Sequence, residues 1–385
     1  MSAQPDPPPP PIQDLTALFM SVSLGLGHDQ AQAALEQSLT RRGVSVSGHH
    51  RDSVDYLRAP ERFVTVDLYA FELKYAPWLY RGFYHFTDLD HPVNFISQAF
   101  TWTGLGQFQR DLARLRPQVV VSTYWGPAAV AASARKRGAA PFLNALIVTD
   151  YAAHRHWVQP EADLVMVAAD DTREQLLARG LDPAKVVVTG IPISTRFAPL
   201  VGADKAALRQ RFGLRPDVPL ILVSGGGTGS YRALRPVLRE LSNLGRRVQV
   251  LILAGAERGG VEVLGGATLH HIGFTDDLPE LLAASDLVVG KAGGLTVAEA
   301  TALGVPLVIH DPIPGHEEGN AKFLERQGAG LWARKSRDLR PAVLKALDPD
   351  QHAELSRNAF RVGRPDSADR VAAAILEALG RRGVS

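Results

Sequence analysis

The sequence has 385 residues and no cysteine, and its charges barely favour one sign. Without cysteine, a disulfide-stapled scaffold and a thiolate metal site are excluded, so the fold must depend on an apolar core. A long uncharged stretch, residues 117–134, contains proline, glycine and hydroxyl side chains, and is too polar to span a bilayer as one helix. The amino terminus lacks the basic and apolar regions of a secretory signal.

The charge balance also limits the partners. The 42 Lys and Arg residues exceed the 40 Asp and Glu residues by two, which provides no strong field for nucleic acid. A hydrophobic content of 45% with 21% charged residues is typical of a globular protein, and the length suits two or three domains. We expect residues 1–13 to form a disordered proline-rich tail. The protein is then expected in the cytoplasm, or peripherally at the cytoplasmic face of the cell membrane.

Short apolar runs alternate with amphipathic segments along most of the chain. Continuous β-branched runs such as residues 119–123 and 220–224 are typical of buried parallel strands, and we interpret Phe63–Leu68 as another strand. The pattern restarts after residue 200. It predicts an α/β fold with two Rossmann-like, doubly wound domains facing a central cleft. The expected units are residues 14–195, residues 196–365, and a C-terminal helix, residues 366–385, that packs back on the first domain.

The first glycine-rich turn, Gly25-Leu26-Gly27-His28, directly precedes a predicted helix. It lacks the third glycine of a dinucleotide fingerprint. Its unusual member is His28, because a helix amino terminus disfavours imidazolium and keeps a histidine neutral, ready to accept a proton. A helix cap or a surface histidine is the alternative interpretation.

Two further glycine-rich turns lie in the second half. Both let the backbone approach an anion beside a helix amino terminus, although neither is a Walker loop. In the later turn, Glu299 is one helical turn in, where a carboxylate can accept both hydroxyls of a ribose. A tight turn that binds nothing is the alternative for the earlier one. The predicted anion-binding residues are Gly225, Gly226, Gly227, Thr228, Lys291, Gly293, Gly294, Leu295 and Thr296.

Aromatic residues concentrate in one segment, because 12 of the 27 lie in residues 69–108. One interpretation is an insertion packed on the first domain. The other is an apolar platform, including Trp78 and Phe83, that docks on a membrane or accepts acyl chains. Lys74 and Arg81 add basic groups for an anionic membrane surface.

Several motifs together resemble glycosyltransferase family 28, in the GT-B-fold group of monogalactosyldiacylglycerol synthases and processive diacylglycerol glucosyltransferases. They occur in the family's order between about residue 17 and about residue 332. The matching stretches are Gly25-x-Gly27-His28, Thr149-Asp150-Tyr151-x-x-His154-x-x-Trp157, Gly190-Ile191-Pro192-Ile193, Gly273-Phe274, Lys291-Ala292-Gly293-Gly294-Leu295-Thr296-x-x-Glu299 and Pro314-Gly315-x-Glu317-x-x-Asn320.

The resemblance implies a UDP-sugar held by the second domain and an acceptor held by the first, with no cofactor and no metal in the active site. His28 would take the proton from the acceptor hydroxyl in a single inverting displacement. On the donor side, the backbone at Phe274 and Thr275 would meet uracil, Glu299 the ribose, residues 293–296 the diphosphate, and Glu317 and Asn320 the sugar. On the acceptor and membrane side, the implied residues are Gly27, Trp78, Phe83, Tyr151, His154 and Trp157.

Two departures from the family pattern leave questions open. His316 stands where related lipid synthases usually have Gln, so glucose and galactose remain alternative donors. Ser23 replaces the Asp of the plant-type members, which makes Asp150 the candidate that orients His28. The expected function is hexose transfer to diacylglycerol or a glycosyl-diacylglycerol. Transfer of N-acetylglucosamine to a polyprenyl-linked acceptor and a catalytically silent UDP-sugar-binding protein are the alternatives, and the oligomeric state is open.

Overall fold

The computed structural model describes residues 12–22, 26–89, 105–225, 231–253 and 259–383. Several predicted features therefore lie outside the described residues: Gly25 of the first turn, Gly226, Gly227 and Thr228 of the second, most of the proline-rich tail, and residues 90–104 of the aromatic segment.

A parallel sheet forms the core of the first half. Its six described strands have the order β2-β1-β3-β4-β5-β6. Strands β3 and β4 are buried along their whole length because helices cover both faces of the sheet, which explains their continuous apolar sequence. The strands are β1 (Asp14–Ser21), β2 (Ser45–Asp52), β3 (Val119–Ser122), β4 (Leu143–Ile147), β5 (Leu164–Val167) and β6 (Val186–Val188).

The helices of the first half include a run of short helices after β2. The helical bounds are α1 (Gly27–Arg41), α2 (Ala59–Arg62), α3 (Tyr69–Tyr75), α4 (Pro77–Asp88), α5 (Leu105–Leu115), α6 (Trp125–Lys136) and α7 (Asp170–Ala178).

A second sheet forms the core of the second half. Its seven described strands have the order β13-β12-β11-β7-β8-β10-β9, and only the edge pair of β9 with β10 is antiparallel within this described part. The strands are β7 (Leu220–Ser224), β8 (Val248–Ile252), β9 (Val261–Leu264), β10 (Ala267–His271), β11 (Leu287–Gly290), β12 (Leu307–His310) and β13 (Gly330–Ala333). The helices are α8 (Lys205–Arg211), α9 (Leu234–Ser242), α10 (Leu278–Ala284), α11 (Gly294–Ala302), α12 (His316–Arg326), α13 (Ser336–Ala346), α14 (Pro349–Val362) and α15 (Ser367–Arg381).

Two features join the halves. The last helix, α15, returns to the first sheet, where Val371 and Ile375 pack among the buried residues of β1 and β4. A second apolar cluster brings Tyr151 and Ile191 of the first half against Val297 of the second. The carboxyl ends of both sheets therefore face a shared cleft, which is where open α/β sheets bind their ligands.

Two secondary-structure expectations fail in one region of the first half. Phe63–Leu68, interpreted as a strand, is a π-helical stretch that continues α2 into α3, and Phe63 is exposed. A short apolar run fits a strand or a helix equally well by periodicity. The polar segment Ser45–Asp52, for which no strand was expected, forms β2 at the sheet edge, where half-exposed positions need no apolar run.

Candidate active site

The amino termini of α1 and α11 face each other in the cleft. A methyl group placed on Gly27, the first residue of α1, would lie 3.8 Å from the Leu295 Cβ atom in the first turn of α11. The first N–H groups of each helix have no partner within the helix, and the helix dipole makes both ends positive. Two converging helix termini form a favourable site for an anion such as a diphosphate.

His28 lies at this junction, in the first turn of α1. Its Nδ1 atom is buried and has no hydrogen-bond partner among the described residues, while the ring packs edge-on against Tyr124 at 5.9 Å between centroids. Burial lowers the pKa of His28, and this effect outweighs the opposing charge of Asp150 and a hydrogen bond with the Thr123 backbone. The imidazole is therefore neutral at neutral pH and can accept a proton, as its position at a helix terminus predicts.

Asp150 is close enough to His28 for its charge to raise the histidine pKa. However, the hydrogen bond described for its carboxylate is with the Asn320 side chain, whose Nδ2 atom donates to Oδ1 at 3.3 Å. Asp150 therefore affects the pKa of His28 through its charge, while the hydrogen bond described for its carboxylate comes from Asn320.

Glu299 lies on the opposite side of the junction, in α11. Burial raises the pKa of Glu299 to about 8, and its side chain has no hydrogen bond or ion pair to a described residue. A partly buried carboxyl group without a described partner is costly unless a ligand or water supplies donors. Ribose hydroxyls would be suitable donors, which is the role predicted for Glu299.

Glu317, Lys291 and His316 come together between β11 and the start of α12. The Glu317 Oε2 atom accepts the Ile313 N–H at 2.6 Å, and burial raises the pKa of Glu317 despite the nearby charges of His316 and Lys291. Thr296 faces the same place, because a methyl group on Gly293 would lie 3.7 Å from Glu317 Oε1 and 3.8 Å from Thr296 Oγ1. If a sugar diphosphate lay at the α11 terminus, its sugar would reach these side chains.

The remaining predicted donor residues lie at strand ends. Phe274 follows β10 and is 61% exposed, while Thr275 Oγ1 accepts the Asp277 N–H at 3.1 Å. Gly225 is buried directly after β7. All three are at the carboxyl edge of the second sheet, beside the cleft.

Two predicted donor residues also serve the contact between the halves. Asn320 is completely buried and uses its amide on Tyr151, Ala292 and Asp150. A methyl group on Gly294 would overlap the Thr149 carbonyl oxygen of the first half. Asn320 therefore has no free N–H for a sugar, and glycine at 294 is explained by the approach of two backbones as well as by an anion.

The predicted acceptor residues on the loop after β4 are bound within the protein. Tyr151 is buried and stacks on Phe323 of α12 at 4.6 Å between centroids. His154 is buried, with Nδ1 accepting the His156 N–H and Nε2 3.0 Å from the Tyr84 carbonyl oxygen. Trp157 is in the apolar core of the first half. All three side chains are therefore engaged within the protein.

Helix α4 has two different faces. Trp78 and Phe83 are 72% and 55% exposed, and other large apolar side chains in and next to α3 and α4 are exposed as well; we call this set the outer face. The outer face consists of Phe63, Leu68, Phe71, Tyr75, Trp78, Leu79, Phe83, Phe86 and Leu89.

The opposite side of α4 lies over the active site. Tyr80 and Tyr84 approach the His316 ring at 6.4 and 6.5 Å between centroids, and Arg81 pairs with the buried Glu318 at 2.5 Å. Sequence reasoning missed these contacts, as it missed Tyr124 beside His28. The Pro314-Gly315 pair was a sequence signal for a close contact at this position. Gly315 has φ +84°, and a methyl group there would meet the Tyr84 ring.

The described residues lack two other features. No group of three or more His, Asp and Glu side chains within them is arranged to hold a metal ion. In the same ranges, no helix combines the length and apolar character that crossing a bilayer requires.

Two facing Rossmann-like halves with a cleft between them define the GT-B fold, and solved structures share this fold. Acinetobacter baumannii MurG matches with a TM-score of 0.60 and 17% identity, over 94% of this chain and 99% of that one. CalG4, the calicheamicin glycosyltransferase, matches with a TM-score of 0.61 and 17% identity, over 95% and 99%. The predicted fold class is confirmed.

The family follows from two family models. The monogalactosyldiacylglycerol (MGDG) synthase model matches residues 28–193, and the glycosyltransferase family 28 C-terminal domain model matches residues 220–371. The chain belongs to glycosyltransferase family 28, which confirms the resemblance carried by its motifs. Two curated relatives share the name processive diacylglycerol beta-glucosyltransferase. The Bacillus licheniformis protein is 27% identical over 370 residues, 94% of each chain, and the Bacillus subtilis protein is 26% identical over 351 residues, 89% of each.

Proposed function

We propose that this glycosyltransferase moves a hexose, glucose or galactose, from a UDP-sugar to diacylglycerol or a glycosyl-diacylglycerol, with inversion at the anomeric carbon. The observation that carries the proposal is the pair of facing helix termini, with a neutral His28 on one and, on the other, a partly buried Glu299 that has no partner among the described residues. The names of the Bacillus relatives support the choice of lipid acceptor and hexose.

The donor half suits each part of a UDP-sugar. Glu299 would accept the ribose hydroxyls, and the backbone beside Phe274 and Thr275 would meet uracil. The diphosphate would lie on the first N–H groups of α11, with Lys291 nearby, so that its charge is balanced by protein groups without a metal. Glu317, held by the Ile313 N–H, would accept a sugar hydroxyl.

The acceptor half supplies the base. The acceptor hydroxyl would donate its proton to His28 as its oxygen attacks the anomeric carbon from the side opposite UDP. The bond between the sugar and the diphosphate breaks in the same step, and UDP leaves with the bonding electron pair. The charge of Asp150 would stabilise the imidazolium that forms.

The direct test is to incubate the purified protein with vesicles containing diacylglycerol and one labelled donor at a time, and then to resolve the lipids. UDP-glucose, UDP-galactose and UDP-N-acetylglucosamine are the donors, and a polyprenyl phosphate lipid replaces diacylglycerol in a second set. We expect label in glycosyl-diacylglycerol with one of the two hexoses. Label only in the polyprenyl lipid would overturn the acceptor, and UDP binding without any transfer would indicate a silent binding protein.

We further propose that the outer face of α3 and α4 docks the enzyme peripherally on the cytoplasmic face of the membrane. The acyl chains of diacylglycerol stay in the bilayer, so the active site must reach them from the surface. Burying two or three aromatic side chains at roughly 1.5–3 kcal/mol each is enough for reversible binding. Arg81 contributes little to headgroup attraction, because it is paired with Glu318.

Vesicle flotation tests this docking. The double variant Trp78→Ser/Phe83→Ser should lose most vesicle binding while its UDP affinity stays unchanged, and wild-type binding should survive high salt. The matched control is Val263→Ser/Phe360→Ser, which removes two exposed apolar side chains of the second half. Release of the wild type by salt alone, with binding retained by the double variant, would mean that the contact is electrostatic and lies elsewhere.

A further inference from the structure

The Asn320 side chain joins three backbone or side-chain groups from two parts of the molecule. Its Oδ1 atom accepts the Tyr151 N–H at 2.8 Å, and its Nδ2 atom donates to the Ala292 carbonyl oxygen at 2.9 Å and to Asp150 Oδ1 at 3.3 Å. An amide has two N–H donors, so both are used. The side chain is completely buried, which makes these bonds inaccessible to water.

These partners belong to opposite sides of the cleft. Ala292 lies between β11 and α11 in the donor half, whereas Asp150 and Tyr151 follow β4 in the acceptor half. The backbones around Asn320 are also in close contact, since a methyl group on Gly319 would lie 2.5 Å from the Ala152 Cβ atom. The hydrogen bond to Asp150 therefore depends on how the two halves are docked.

We propose that Asn320 is a positioning residue that holds the Asp150 carboxylate beside His28 when the donor half is in place, and that it thereby acts on proton transfer. This inference rests on the proposed role of His28 as the base. A residue of the donor half would then help to position the groups around the base on the acceptor half.

The electrostatics give the inference a measurable sign. The charged groups that face His28 are Asp150 after β4, Asp29 on its own helix and His316 on α12. The two carboxylates raise the pKa of His28, whereas burial and His316 lower it. If Asp150 loses its hold and moves away, the pKa of His28 falls further, and the acid limb of kcat, measured at saturating UDP-sugar, moves to lower pH.

The experiment compares Asn320→Ala, Asp150→Asn and the double variant. We expect Asn320→Ala to lower kcat by roughly 10–100-fold through misplacement of the carboxylate, with the KM for UDP-sugar within about threefold of wild type. Both single variants should move the acid limb to lower pH. In the double variant the two losses should not add, because each removes the same charge from His28.

A role of Asn320 that is limited to sugar binding predicts the opposite results for the Asn320→Ala variant. Its KM would rise, the pH profile would stay in place, and its effect would add to that of Asp150→Asn, which would overturn the inference. If the effects are additive in this way but His28→Ala still loses the turnover expected for a general base, only the inference about Asn320 fails and the proposed function stands. If His28→Ala instead keeps near-normal turnover, His28 is not the base and the proposed mechanism itself fails.

Two variants guard the interpretation. Asn358→Ala is the matched control, because Asn358 donates to the Gly328 carbonyl oxygen at 3.1 Å within the donor half, and it should retain activity. If Asn320→Ala does not fold, Asn320→Leu keeps the branched side-chain shape and adds no buried charge, while removing both N–H donors. It should still fold, lose kcat and keep its donor KM; an unchanged kcat would overturn the inference.

Discussion

The helices α1 and α11 begin at the same place in the molecule and present the same backbone groups to it. On α1, the first turn carries His28, whose pKa is lowered by burial, whereas α11 carries Glu299, whose pKa is raised to about 8 by burial. Burial therefore makes both groups neutral, which is the charge state that a low-dielectric site favours. One neutral group can accept a proton from an acceptor, and the other requires hydroxyl donors from a ligand.

The two helix starts also differ in how closely the opposite half approaches. At Gly27 there is room for a methyl group, which would make an ordinary contact with Leu295. At Gly294 there is none, because the Thr149 carbonyl oxygen occupies the position. The glycine of α11 is thus required by the closed arrangement of the halves, and the glycine of α1 is not.

Of the changes at the two helix termini, removing the His28 imidazole should have the largest effect on turnover. We expect His28→Ala to lower turnover by roughly 10²–10⁴, the usual loss for a general base, with UDP affinity within a few-fold of wild type. Steady-state kinetics and calorimetry measure the two quantities. His49→Ala, on β2 outside the site, is the control; near-normal turnover of the His28 variant would exclude it as the base.

The pH profile of the wild type sharpens the same prediction. Because the base acts in its neutral form, kcat at saturating UDP-sugar should be level above the ordinary imidazole pKa of 6.5 and fall only at lower pH, since burial lowers the pKa of His28. In His28→Ala this acid limb should disappear. An acid limb that lies above pH 6.5 and survives the substitution would belong to another group.

The difference between Gly27 and Gly294 predicts that their alanine variants differ in stability. Gly294→Ala must push the halves apart, at a cost of roughly 1–3 kcal/mol, and should lower the melting temperature. Gly27→Ala creates no overlap and replaces glycine with a better helix former, so its melting temperature should stay close to that of the wild type. Equal melting of both variants would mean that the halves do not meet at Thr149.

The core of the fold could be predicted from sequence because its strands are parallel and buried. Runs such as Val119–Ser122 are apolar on both faces and stand out from their surroundings. The edge strand Ser45–Asp52 gives no such signal, and the apolar stretch Phe63–Leu68 gives a false one because a helix surface that faces outward can also be apolar.

The site shows the same division between local and tertiary information. The glycine turns and His28 are local features, so their place at helix termini could be predicted. The three bonds of Asn320 join positions 28 to 170 residues apart, and nothing in a local pattern distinguishes an amide that binds a sugar from one that binds its own protein. The same holds for His154, whose partners on α4 are far away in sequence.

The smallest expected effect concerns the ligand partner of Glu299. Glu299→Ala should raise the UDP dissociation constant by about tenfold or more, since charge-assisted bonds to ribose hydroxyls contribute roughly 1.5–3 kcal/mol each. In the wild type, the pKa of about 8 keeps this carboxyl group mostly protonated at pH 7, and the ribose hydroxyls favour its ionised form. Binding should then release close to one proton at pH 7, and the affinity should rise with pH up to about 8. Calorimetry in buffers of different ionisation enthalpy measures this release, which should vanish in Glu299→Gln and persist in the control Glu354→Ala. Unchanged UDP affinity without proton release would move the ribose away from α11, and the contrast between a base on one terminus and a ribose ligand on the other would fail.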